Sequence, residues 1–265
     1  MSAYGVSAFR GKALTAIQLG VRMARPTFPD DPDLRRFVMI YVCVLAAIAG
    51  FINSTLLVDL VYPVSHVSGS LTHFSMAVVE GDLPDLEQLM LILLGFFAGA
   101  VLGGAIIGGT ETETGRRYGG ALLIEAGLLA AAPLLDGAGL KPGAMIAAAS
   151  ACGLQNAMFS NYRGLVLRTT HFTGTLTDLG ALIGRSTHKR TDVWFASVLV
   201  LTMLFFVIGG ALGAVNAIDD GTNALYYPAG VCALLGIAYF TYHHRRAAAD
   251  PETDKSDHEL EFDCV

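Results

Sequence analysis

The chain has 265 residues, of which 53% are apolar and only 15% charged, with a mean hydropathy of +0.54 and a net charge of −6. Ordinary globular domains carry about 25% charged residues. Here the charges fall almost wholly between long apolar runs, which excludes a soluble domain between residues 37 and 240. Much of the acidic excess sits in residues 250–263, and there is no basic face for nucleic acid.

Residues 1–36 read as a cytoplasmic N-terminal segment. Within it, 8–25 carries Arg10, Lys12, Arg22 and Arg25 without the apolar core of a secretory signal. It suits an interfacial helix or a solvated tail equally. A membrane helix needs about 20 mostly apolar residues, and six stretches supply them: 37–60, 88–109, 118–135, 143–162, 193–216 and 225–242. The polar residues 247–265 read as a disordered acidic tail. Cys43, Cys152, Cys232 and Cys264 are far apart and form no CxxC, so neither a disulfide framework nor a zinc knuckle is expected.

Two further segments, 62–80 and 168–185, are only partly apolar and rich in Ser, Thr and His. As short spans they give eight crossings and parallel repeats. As re-entrant segments they leave six. Cytoplasmic loops collect Lys and Arg. With six spans and the N-terminus inside, 16 of the 17 basic residues lie inside, against 13 with eight. The six-span arrangement is the expectation, with both termini cytoplasmic.

The two polar segments also resemble each other. His66-Val67-Ser68-Gly69-Ser70-Leu71-Thr72-His73 aligns with His171-Phe172-Thr173-Gly174-Thr175-Leu176-Thr177-Asp178. Gly50-Phe51-Ile52-Asn53 aligns with Gly153-Leu154-Gln155-Asn156, and Phe96, Gly99, Leu102 and Gly103 align with Phe206, Gly209, Leu212 and Gly213. The predicted fold is therefore an all-α integral membrane protein of six transmembrane helices in two inverted three-helix repeats, 37–136 and 143–246. Each repeat has a re-entrant or short polar helix, and such repeats commonly hold a site near the midplane. Gly69 and Gly174 are expected at the turn of each re-entrant segment, with half-helices starting near Ser70 and its counterpart. Their N-termini would favour anions or neutral polar solutes.

Candidate site residues follow from this. His66, Ser68, Gly69, Ser70, Thr72, His73, His171, Thr173, Gly174, Thr175, Thr177 and Asp178 are expected to bind solute or line a pore, or alternatively to cap the half-helices. Ionisable groups at membrane depth default to functional roles. Asn53, Gln155 and Asn156 are expected to support the re-entrant backbone. Glu125 could carry a proton or snorkel to the interface. The His and Asp residues follow no recognised ligand spacing, so no metal is expected, and no motif calls for a cofactor. Gly99-xxx-Gly103 and Gly209-xxx-Gly213 are small-residue seams, suited to packing within the fold or to a homodimer.

The quoted Gly-Phe-Ile-Asn, Ser68-Gly69-Ser70, Gly153-Leu154-Gln155-Asn156-Ala157 and His171-to-Thr177 motifs resemble the YoaK family, small bacterial multi-spanning proteins of uncharacterised function loosely labelled permeases. The resemblance covers about residues 37–245 and implies a bacterial inner-membrane location. It supplies no substrate or catalytic residue, and His66 and His73 depart from it. The expected function is a channel or secondary transporter for a small polar solute or anion. The alternatives are an intramembrane enzyme using His66, His171 and Asp178 as acid and base, or a membrane partner protein signalling through its cytoplasmic tails.

Overall fold

The computed structural model describes residues 32–60, 62–108, 116–159, 169–185 and 192–249. The basic N-terminal stretch before Pro32 and the acidic tail beyond Ala249 lie outside the described residues. Among those described, the regular structure is all helical: α1 (Pro32–Leu60), α2 (Val67–Glu80), α3 (Leu83–Ile107), α4 (Arg116–Gly137), α5 (Lys141–Phe159), α6 (Phe172–Arg185), α7 (Val193–Asp220), a 3-10 turn (Gly221–Leu225) and α8 (Tyr226–Ala249). Four stretches are long and apolar enough to cross a bilayer: Pro32–Asp59, Leu83–Ile107, Arg117–Gly137 and Val193–Tyr242. The exterior is apolar as well, with Val79, Leu83, Phe97, Ile218 and Leu234 all exposed.

The helix ends follow local chemistry. Asp82 caps α3 by accepting from the Asp85 amide at 3.2 Å, with a proline in the first turn, and Asp192 caps α7 through the Phe195 amide at 3.1 Å. Gly81, Gly108, Gly139 and Gly221 take positive φ where helices end or turn, a conformation costly for other residues. α8 continues to Ala249, three residues into the stretch expected to be disordered.

The packing is crosswise. α1 lies along α7, and α5 lies along α3. The α1–α7 pair runs parallel: Arg35 sits 5.3 Å over the Trp194 ring near one end, and the Thr55 hydroxyl donates to the Gly213 carbonyl near the other. The α3–α5 pair is also parallel, with Gly95, Gly99 and Gly103 against Ile146, Ser150 and Leu154 in turn. α4 and α8 run antiparallel, Gly119 meeting Gly236 while Asp136 accepts from Thr222 at 2.7 Å. The chain reverses between α7 and α8. Phe51 packs on Gly213 and also meets the Tyr227 ring at 6.3 Å, residues that a straight helix would hold about 21 Å apart at 1.5 Å per residue.

Glycine makes the two crosswise seams possible. A Cβ at Gly50 would land on the Phe206 carbonyl, and one at Gly153 on the Phe96 carbonyl. A Cβ at Gly99 would strike Ser150, and one at Gly209 would strike Ala47. These contacts recur at the spacing of the sequence repeat, since Gly153 follows Gly50 by 103 residues and Gly209 follows Gly99 by 110. The Gly-xxx-Gly seams thus join helices within the fold.

Candidate functional site

Each polar segment is tied down by an asparagine on the long helix before it. Asn53, buried on α1, accepts from the Ser65 hydroxyl at 2.8 Å and the Ser65 amide at 3.4 Å, and its oxygen lies 3.3 Å from Nδ1 of His66. Asn156 on α5 accepts from the Thr170 hydroxyl at 2.9 Å and donates to the Cys152 carbonyl at 3.1 Å. Asn156 follows Asn53 by 103 residues and Thr170 follows Ser65 by 105, so the anchor is built twice. The amide is suited to this: its oxygen accepts two hydrogen bonds while its NH2 can satisfy a helix carbonyl.

Gln155 was expected to share this role and does not. It is fully buried and donates to the Leu45 carbonyl of α1 at 2.8 Å, joining the two halves of the chain.

α2 and α6 are each 14 residues long, about 21 Å. They start earlier than the sequence suggested, at Val67 and Phe172, so Gly69 and Gly174 sit in the first helical turn and neither has positive φ. The expected unusual turn angle is not their role. At Gly174 the missing side chain gives space instead: a Cβ there would lie 2.5 Å from Cδ2 and 2.8 Å from Nε2 of His171, whose ring folds over the helix end. Gly69 has no such tight neighbour. His66 occupies the N-cap position of α2, but its side chain makes no capping hydrogen bond. It turns to Asn53 and meets the Phe206 ring edge-on at 5.8 Å.

Phe206 also meets Phe172 at 4.5 Å. One α7 side chain therefore touches the entry to α2 and the first residue of α6, which brings the two helix starts to a common point. Unpaired N–H groups and the positive end of the helix dipole collect at such starts. Only two of the four ionisable residues, His66 and His171, sit at these starts. His66 is half-buried at the centre, His171 lies over Gly174, His73 meets Tyr62 edge-on at 5.9 Å, and Asp178 is exposed in the second turn of α6. Among the described residues no three His, Cys, Asp or Glu side chains could share a metal ion.

The hydroxyls divide similarly. Ser70 is buried and donates to the Pro63 carbonyl at 3.2 Å, which holds the approach to α2. Thr72, Thr175 and Thr177 each donate to the carbonyl four residues back. A helical Ser or Thr bonded this way has used its only proton, so these three offer a solute acceptor lone pairs alone. Ser68 and Thr173 are exposed in the first turns, with their backbone carbonyls taken by Thr72 and Thr177.

At the α1–α2 connection, the Tyr62 phenol interacts with the Asp85 carboxylate. That interaction, some burial and the charge of Asp82 push the phenol up to about 12. Glu125, on α4, does not snorkel: it is wholly buried, and neither carboxyl oxygen has a hydrogen-bond partner. Cys43, Cys152 and Cys232 are free and buried.

The sequence matches the family described as "Protein of unknown function (DUF1275)" over residues 41–238. It is 30% identical over 206 residues, 77% of this chain and 87% of its relative, to the "UPF0700 transmembrane protein RA0705" of Rhizobium meliloti (strain 1021). No solved structure matches the chain.

Proposed function

The chain belongs to this family of transmembrane proteins of unknown function, and from that premise we propose that it is a channel or secondary transporter for a small polar solute or anion. In this reading six helices (α1, α3, α4, α5, α7 and α8) cross the bilayer as two inverted repeats, and α2 and α6 are re-entrant half-helices meeting near the midplane. The membrane is the bacterial inner membrane, with both termini in the cytoplasm. The permease label of the YoaK-like proteins belongs to the same proposal.

One observation carries the reading: two short helices, each anchored by an equivalent asparagine, bring their starts to the same residue, Phe206. A bilayer core is about 30 Å thick, so helices of about 21 Å reach only partway. Irregular backbone at that depth is tolerated where protein or a water-filled cavity surrounds it. The directions of the long helices favour the inverted arrangement, since α1, α4 and α7 run one way and α3, α5 and α8 the other. The helix starts would attract an anion or a polar solute and repel a bare cation. His66, Ser68, Gly69, His171, Thr173 and Gly174 are nearest to such a site.

The test is flux in proteoliposomes holding the full chain, with chloride, nitrate, glycerol, urea and potassium as probes. We expect one or more of the anions or neutral solutes to pass faster than in protein-free vesicles, and replacement of both His66 and His171 by Ala to remove that flux. Potassium conductance without anion or solute flux would overturn the reading.

A further inference from the structure

Glu125 is the tenth residue of α4, about 14 Å from the start of that helix and roughly 18 Å from its end. It therefore lies near the middle of the span. Its side chain is completely enclosed, and both carboxyl oxygens lack a hydrogen bond. Buried polar groups are nearly always satisfied, and those left unsatisfied call for an explanation. The Cys152 thiol of α5 and the Cys232 thiol of α8 lie close enough to it to interact electrostatically. The Cys232 thiol interacts with the carboxyl without reaching full hydrogen-bond geometry. The other elements packed on α4 bring no charge: α3 has acids only in its opening turns, at Asp85 and Glu87, and the 3-10 turn Gly221–Leu225 has no titratable residue. On α4 itself Asp136 lies at the far end, bonded to Thr222.

We infer that Glu125 is a proton-binding site through which solute movement is coupled to the proton gradient, an inference that rests on the transport reading above. The ligand class follows from the lining. A neutral carboxylic acid is tolerable in an enclosed site beside two thiols, whereas a carboxylate with no cation and no full donor is costly at membrane depth. The group exchanges its proton when the seam beside it admits water. α4 and α8 form that seam through Gly119 and Gly236, with the Gly236 carbonyl 3.2 Å from where a Gly119 Cβ would be and the Phe240 and Leu123 side chains packed over the two glycines. Glu125 and Cys232 lie between one and two turns farther along this seam.

The full chain in lipid, examined by infrared spectroscopy, tests proton exchange directly. The carbonyl stretch of a protonated carboxyl should shift in D2O and diminish as pH rises. It should vanish in Glu125→Gln and persist at a shifted position in Glu125→Asp. In proteoliposomes, an imposed proton gradient should drive accumulation of whichever probe above is carried, and Glu125→Gln should reduce that accumulation to the protein-free level. A band that never exchanges, or no band assignable to Glu125, overturns the inference. Exchange with gradient-driven accumulation unchanged in Glu125→Gln also overturns it, while leaving the transport reading intact. Absence of flux for every probe removes the transport reading and the coupling together, whatever the infrared band shows.

Discussion

At Gly50 and Gly153 a single methyl group would decide whether two helices can touch. Each faces a backbone carbonyl of its partner helix, and backbone cannot move aside as a side chain can. Overpacking costs about 1–3 kcal/mol, occasionally more, so Gly50→Ala and Gly153→Ala should each lower the thermal unfolding midpoint in detergent, whereas Gly127→Ala, which faces open space, should not. The asparagines grade differently. Removing the Asn53 oxygen strands the buried Ser65 hydroxyl and amide, at about 1–3 kcal/mol for each unsatisfied group. Asn53→Ala should therefore destabilise more than Asn156→Ala, which loses one accepted and one donated bond and strands only the Thr170 hydroxyl; denaturant melts would compare them. Tyr62 gives a pH signature. Its phenol is held protonated in the folded chain, so the stability this provides is present below about pH 10, the ordinary tyrosine range, and is lost as pH climbs toward 12. Ultraviolet titration should show a late-ionising phenol that is missing in Tyr62→Phe and returns toward the ordinary range in Asp85→Asn.

The helices were largely legible in the sequence because apolar length is a strong signal in a membrane chain. Expected spans such as 193–216 and 225–242 reappear as α7 and α8 with ends shifted by a few residues. α2 and α6 start three residues before the expected Ser70 and its counterpart, because a Ser/Thr-Gly-Ser/Thr run signals a turn as readily as a first helical turn. The asparagine anchors were readable from the repeated Asn before each polar segment. The partner of Gln155 was not, since the Leu45 carbonyl leaves no mark on sequence. Nor was the enclosure of Glu125, which depends on how α4, α5 and α8 meet. Side-specific thiol labelling, on a cysteine-free background, checks the number of crossings: cysteines placed at Asp85 and Lys141 should react from outside the cell, and one at Arg117 should not. The opposite pattern would mean eight crossings and would end the case for half-helices meeting at mid-membrane.

At the scale of the whole molecule, long helices exchange partners between the halves. α1 needs α7, and α5 needs α3, so neither half of the chain contains its own seam. Cutting the chain at Gly139, an exposed turn residue between α4 and α5, should leave two pieces that are each unstable alone. Co-expressed, they should co-purify as a 1:1 pair, and Gly209→Leu should abolish that pairing by wedging α7 away from α1.

This exchange of partners also sets a timetable during synthesis. α1 leaves the ribosome before the other described helices, yet the glycines that receive it, Gly209 and Gly213, are made more than 150 residues later. At elongation rates of about 5–20 residues per second, its small-residue face waits on the order of ten seconds or more in lipid without its mate. α3 waits a shorter time for α5. A cell under membrane stress should lose this protein chiefly as nascent or truncated chains, degraded before α7 arrives, and completed molecules should be long-lived.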